Sequence, residues 1–281
     1  MPGYVVLIVL LGALLHASWN AVAKSSGDKF LNVVMVVAVA GLAAGLALPF
    51  FAQPAAASWP YLATSAVLQV VYIVLVSKAY KHGDMSLAYP LMRGTAPLLV
   101  ALASGPLIGE ALSALRWLGV LLVSSGVLAM AFESRRRGEG AGKTAATALL
   151  NACFIAAYTI TDGIGVRLSG ASTAYTLWIF VAHAGPLLLW ALLRQPAQFG
   201  AHLRKRFGTA VFGAFATLAS YGSALWAMSL NVPVASVSAL RETSIIFAAG
   251  LSVFLFGERL GLWRWAGVAL ICGGVAVIRV A

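Results

Sequence analysis

Two arginines, Arg93 and Arg241, lie deep inside two of the most apolar stretches of the chain, at equivalent places in two copies of one sequence pattern. A charge near the bilayer midplane costs roughly 2.5–3.5 kcal/mol on the insertion scale, so a guanidinium is retained there to meet a substrate or a buried counter-ion. Guanidinium is always protonated and forks two hydrogen bonds onto a carboxylate or phosphonate. Two such groups related by internal symmetry point to a central site for an anionic group. The competing role is a buried ion pair. Glu242 adjoins Arg241, but successive helical residues point about 100° apart, so Arg241 would have to pair across helices, with Asp162 as the candidate.

Helical spacing gathers further polar groups onto single faces. His16, Trp19 and Asn20 stand at i, i+3 and i+4; Asn151, Tyr158 and Asp162 stand at i, i+7 and i+11. Ser65, Gln69 and Tyr72 form a third stripe, Thr217 and Tyr221 a fourth with Trp226 farther along, and Tyr89 joins Arg93. Ser238, Arg241 and Ser244 share the last of these segments with Glu242. Lipid cannot satisfy such groups, so the stripes are expected to face inward. The candidate substrate-binding set is therefore Arg93, Arg241, His16, Trp19, Asn20, Gln69, Tyr72, Tyr89, Tyr158, Asp162, Tyr221 and Glu242. Each has a structural alternative: Asn, Gln, Ser and Thr act as interhelical glue, aromatics pack or anchor at the interface, and His16 serves either as proton carrier or as a hydrogen-bonded structural residue.

No HExxH, P-loop or Cys/His cluster is present, so neither an enzyme nor a bound metal or cofactor is implied. The two cysteines, Cys153 and Cys272, stand alone in separate segments and read as small buried packing residues. His183 lacks a polar partner one turn away and reads as structural, and His82 and His202 fall in connections. Glu110 and Glu258 stand beside helix ends, where carboxylates cap or pair locally.

The elements that must position these residues are membrane helices. With 61% hydrophobic and 10% charged residues, 281 residues cannot clothe a water-soluble fold in polar surface. Apolar windows predict ten spans, at 3–24, 31–52, 60–79, 86–107, 114–132, 144–166, 172–193, 207–230, 233–256 and 262–280. The first is expected to be retained rather than cleaved after Ala21-Val22-Ala23, because no Lys or Arg precedes it. The net charge of +11 is a topology signal rather than a nucleic-acid footprint. Of the 19 Lys and Arg, fourteen fall in the connections after spans one, three, five, seven and nine, whereas the other face holds only Arg116, Arg167 and Arg279. By the positive-inside rule, Arg135-Arg136-Arg137 and Arg204-Lys205-Arg206 are cytoplasmic and both termini lie outside the cytoplasm of a bacterial-type inner membrane.

A shift of 148 residues lays Arg93 on Arg241, Gly109-Glu110 on Gly257-Glu258, Arg116-Trp117 on Arg264-Trp265, Gly119-Val120 on Gly267-Val268, and Gly126 on Gly274. A weaker match sets Leu14-Leu15-His16-Ala17 on Leu149-Leu150-Asn151-Ala152. The chain is thus read as a duplicated five-helix unit, residues 1–137 and 138–281, with the Gly-containing basic segment between them as the joint. Five is odd, so the second copy enters the membrane from the opposite side. The expected fold is an all-α integral membrane bundle of ten helices in two inverted repeats, an arrangement that lets two halves exchange conformations around a midplane site. Pro90, Pro97 and Pro106 mark span four as the expected gate.

Two five-helix copies, a Gly-Glu pair closing spans four and nine, and Arg-Trp-x-Gly-Val opening spans five and ten resemble the EamA family of the drug/metabolite transporter superfamily. The resemblance covers essentially the whole chain and implies secondary transport of a small molecule; the superfamily carries amino acids, nucleotide sugars, sugar phosphates, amines and drugs. Members commonly have an apolar or Glu-Pro sequence where this chain has Leu240-Arg241-Glu242-Thr243-Ser244, a departure that argues against a generic hydrophobic-drug pocket. The expected cargo is a small polar metabolite with an anionic group, such as an amino acid or aminophosphonate; amines or cationic aromatic compounds are the alternative. The implied partners are that substrate and the lipid bilayer, with His16, Asp162 and Glu242 as protonatable groups should transport be coupled to a proton or other ion.

Overall fold

The computed structural model describes residues 1–24, 29–82, 85–132, 141–256 and 261–281. Its elements are α1 (Gly3–Lys24), α2 (Lys29–Ala47), α3 (Trp59–His82), α4 (Met85–Ile108), α5 (Ala114–Phe132), α6 (Ala141–Ser169), α7 (Ser172–Arg194), α8 (Pro196–Lys205), α9 (Phe207–Ser229), α10 (Val234–Arg241), α11 (Ser244–Phe256) and α12 (Leu262–Val280). Two short 3-10 turns separate α2 from α3, and no strand occurs among the described residues. Only a helix closes every backbone hydrogen bond within one segment, which is why each apolar run takes that form in a medium without water. Among the described residues, nine segments are long and apolar enough to cross a membrane, and α5 holds a shorter apolar stretch, Ala114–Met130. With α10 and α11 as one crossing, the bundle has ten spans.

Packing follows the internal repeat. α1 lies on α9 as α3 lies on α6, and α4 lies on α6 as α11 lies on α1. The equivalent helices α2 and α7 pack on each other, as do α5 and α12. At the last of these interfaces, a Cβ added to Gly126 would come within 2.7 Å of the Gly267 carbonyl oxygen, and one added to Gly274 within 2.8 Å of the Gly119 carbonyl oxygen. Gly119 is equivalent in sequence to Gly267, and Gly126 to Gly274. The two helices therefore cross antiparallel through identical faces, which is the geometry of an inverted repeat seated on a local two-fold axis. The glycines are there because backbone meets backbone. The joint between copies, including the 137/138 boundary, lies outside the described residues.

Several local features differ from the sequence reading. The expected gate helix, α4, runs unbroken through Pro90, Pro97 and Pro106, whereas span nine, whose one proline is Pro233 at its start, is interrupted at Glu242-Thr243 between α10 and α11. Around the break the backbone tightens: Glu242 N–H donates to the Ala239 carbonyl, Thr243 N–H to that of Leu240, and Ile245 N–H to that of Glu242, each at 3.0–3.1 Å. The Thr243 hydroxyl also bonds the Leu240 carbonyl at 2.7 Å, so a side chain competes within the helical ladder and interrupts it. Cys153 and Cys272 are exposed on outer faces rather than buried; lipid is as apolar as the protein interior and accepts a thiol there. Several helical Ser and Thr hydroxyls turn back to carbonyls of their own helix, as Ser18 does to Leu14 and Thr176 to Ser172, both at 2.8 Å. Finally, the connection holding His202 is itself a short helix, α8, started by Pro196 and carrying Arg204 and Lys205, with Phe199 as its buried anchor.

Candidate functional site

A cavity of about 570 Å³ opens between the halves. α1 contributes His16, Trp19 and Asn20, α3 contributes Gln69 and Tyr72, and α4 contributes Tyr89 and Arg93. From the second half come Tyr158 on α6, Tyr221 on α9 and Arg241 at the end of α10. The first-half residues occupy the C-terminal parts of α1 and α3 and the N-terminal parts of α2 and α4, so the cavity lies toward that end of the bundle. The stripes seen in the sequence thus converge on one space. Ten of the twelve sequence-selected residues line it, and Asp162 and Glu242 stand behind the wall.

The charges are distributed unequally. Arg93, 7% exposed, brings Nε to 2.9 Å from Oε2 of Glu242, which is 3% exposed. The two atoms are close but not aligned as donor and acceptor, so this is an ion pair without a well-formed hydrogen bond. A terminal nitrogen of Arg93 also reaches the Ser244 hydroxyl at 3.4 Å. The break in span nine is what turns Glu242 toward α4. Arg241 does not take the Asp162 partner considered from the sequence. Its guanidinium lies over the ring of Tyr221, 5.0 Å from the centroid, and no ion pair to it occurs among the described residues.

Asp162, fully buried, is held instead by neutral donors. Tyr221 donates to one carboxylate oxygen, Tyr175 donates to the other at 3.2 Å, and Gln69 approaches at 3.4 Å with the Ser65 hydroxyl beside it. The reason is reach: Tyr221 stands between Asp162 and Arg241, offering its hydroxyl to the acid and its π face to the cation. Edge-on contacts run Tyr72 to Tyr158 at 5.6 Å, Tyr158 to Tyr221 at 6.3 Å and Phe180 to Tyr221 at 6.2 Å, giving one wall a continuous aromatic face.

At the far end of the bundle, polar bonds tie the segments together. α4 ends at Gly109, whose φ of 76° is the left-handed turn that glycine adopts without strain. That turn delivers Glu110 to the second half. Its carboxylate accepts from an Arg167 terminal nitrogen at 2.6 Å and from the Val234 N–H at 3.0 and 3.1 Å, capping the N-terminus of α10. Arg167 also donates to the Met228 and Val232 carbonyls at 3.1 and 2.9 Å. Close by in the same layer, Ala55 N–H donates to the Ser169 carbonyl at 2.9 Å and Trp178 Nε1–H to Gln53 at 2.8 Å. The Gly-Glu pair of the sequence pattern therefore works as a turn and a cross-half latch. Its copy, Gly257-Glu258, lies outside the described residues.

Several lining residues escaped the sequence reading. His183 borders the cavity; its Nδ1–H donates to the Ile179 carbonyl at 2.7 Å, so it also has the structural bond expected of it. Thr217 and Ser220 were on or beside a recognised stripe, but Phe30, Val33, Val36 and Val37 of α2 gave no signal, being apolar residues in an apolar helix. Trp226, considered from the sequence as a cavity residue, packs on Tyr4 instead, with centroids 6.2 Å apart. The indole N–H of Trp19, by contrast, is buried in the cavity wall without a partner.

Comparison with known proteins agrees with this architecture. A crystal structure superposes with a TM-score of 0.76 over 99% of both chains at 19% identity, which shows the fold. The chain is 26% identical over 227 residues to the uncharacterized transporter YwfM of Bacillus subtilis (strain 168), covering 80% of this chain and 74% of that protein. The model of the EamA-like transporter family matches twice, over residues 3–132 and 142–280, once on each half of the bundle. The protein is a multi-pass membrane transporter, and it belongs to the EamA-like transporter family.

Proposed function

We propose that this protein is a secondary transporter, independent of ATP, that moves a small polar metabolite with an anionic group by alternating access around the cavity holding Arg93 and Arg241. The observation that carries the reading is Arg241: a guanidinium in the cavity wall with an aromatic face behind it and no carboxylate partner among the described residues. Such a cation has its charge-assisted hydrogen bonds still to make. Arg93 adds to the local potential, but Glu242 offsets it.

Residues 1–137 and 138–281 act as the two moving halves. The cavity lies toward the end of the bundle that carries the lysine- and arginine-rich connections, so by the positive-inside rule this is an inward-open state of an inner-membrane protein with both termini outside the cytoplasm. The Glu110–Arg167 latch then closes the outer side. His16 in the wall and Asp162 behind it are the groups through which a proton or other ion would couple.

The tyrosine faces would also accept an ammonium group, so amines and aromatic cations are the competing cargo. Proteoliposome uptake of matched anions and amines decides between them. Uptake of anions that is lost in Arg241→Lys, with the variant folded and monodisperse, supports the proposal; uptake of amines alone refutes it.

A further inference from the structure

The sign of the free charge in the cavity carries the reading further, because the whole chain has only eight acidic residues, three of them among the described residues. Five of them, Asp28, Asp84, Glu133, Glu139 and Glu258, belong to connections and lie outside the described residues. The other three are engaged. Glu110 holds Arg167 and the α10 N-terminus at the far end, Glu242 faces Arg93, and Asp162 is enclosed by Tyr175, Tyr221 and Gln69. None of the three lines the cavity. An amino acid bound with its carboxylate at Arg241 would therefore bring an ammonium into a wall that holds Arg241 and the Glu242-paired Arg93 and offers no described carboxylate of its own. A buried charge without a counter-ion is strongly disfavoured, and like charges disfavour it further.

Part of the cavity wall is apolar. α2 presents Phe30, Val33, Val36 and Val37, and α3 adds Ile73 and Val76. α2 packs on α7 and α9 and has no substantial contact with α4 or α10, so this apolar surface comes from a different helix than either arginine. A ligand in the cavity therefore has a cation, aromatic edges and apolar surface within one space.

We infer that the cavity takes amphipathic organic monoanions, with a carboxylate at Arg241 and an apolar or aromatic body against the α2–α3 wall, in preference to the zwitterions that carry the same side chain. This rests on the anionic-cargo reading above and narrows it.

The test uses the purified full-length protein and three compounds that share one phenyl-ethyl body: 3-phenylpropionate, phenylalanine, and 2-phenylethylamine. Binding is read by quenching of intrinsic tryptophan fluorescence and by ligand-induced thermal stabilisation. The expected order is 3-phenylpropionate tighter than phenylalanine by about tenfold or more, with no saturable binding of the amine. Arg241→Gln should remove the preference for 3-phenylpropionate; the wild-type ranking stands as the test even if that variant fails to fold. Phenylalanine binding as tightly as 3-phenylpropionate, or tighter, overturns this inference while leaving the anionic-cargo reading intact. Tightest binding of the amine overturns both. Failure of all three compounds to bind at millimolar concentration overturns the amphipathic-monoanion class.

Discussion

Arg93 of the first half and Glu242 of the second meet at 2.9 Å in the membrane interior, whereas Arg241, the sequence equivalent of Arg93, lies over the face of Tyr221 with no ion pair among the described residues. The repeat thus sets two identical residues at related places and gives them different work. Arg93 is tied to the scaffold by Glu242, and Arg241 is the cation that we propose meets a ligand.

That asymmetry predicts different outcomes for the same substitution. Arg93→Gln leaves the Glu242 carboxylate buried and unpaired and should destabilise the protein by about 3–5 kcal/mol, with partial recovery in the double variant Arg93→Gln/Glu242→Gln. Arg241→Gln should change thermal stability little and lower anion affinity by about tenfold or more. Denaturation in detergent alongside ligand titration of each variant separates the two; equal stability losses would mean that both arginines are structural.

Tyr221 can be divided into its hydroxyl and its ring. Tyr221→Phe removes a donor from Asp162 and should cost about 1–3 kcal/mol in stability while keeping the π face under Arg241. Tyr221→Leu removes the face as well, and anion affinity should fall further, by about three- to tenfold, as Arg241 loses its platform. If the Phe and Leu variants bind alike, the ring has no part in holding Arg241.

Breaking the latch should shift the balance between the two open states. Glu110→Gln removes the charge that binds Arg167 and caps α10, so the closed end should open more often. A cysteine at Ser169, buried beside that latch, introduced with Cys153 and Cys272 replaced, should react several times faster with an impermeant maleimide when Glu110→Gln is also present. An unchanged labelling rate would show that the latch does not control access.

The antiparallel α5–α12 seam makes a steric prediction. Any side chain at Gly126 runs into the Gly267 carbonyl and Ile271, which are backbone and core and cannot swing away. Gly126→Leu should lower the melting temperature through overpacking worth about 1–3 kcal/mol or more, whereas Gly142→Leu, at a position with no neighbour within 4 Å, should be silent.

Charge asymmetry also predicts sidedness. Cysteines placed at position 138 and at the C-terminus, in a background lacking Cys153 and Cys272, should be labelled from opposite faces of intact cells. Labelling from the same face would reverse the assigned orientation or remove a span.

Hydropathy, charge asymmetry and the 148-residue repeat determined the class, the spans and the two-fold plan, because a bilayer imposes one length and one backbone solution on every apolar run. The same rules drew the polar stripes, since lipid leaves an unsatisfied Gln69 or Arg93 nowhere to face but inward. What only the tertiary structure decided is how those inward groups pair. Whether Glu242 turned to Arg93 or Asp162 to Arg241 depended on a break in span nine that no proline announced, and on Tyr221 reaching Asp162 first. The apolar wall of α2 was equally silent, because a valine facing a cavity and a valine facing lipid are written with the same letter. Sequence sets the solvent each residue needs; distances between helices set which partner it gets.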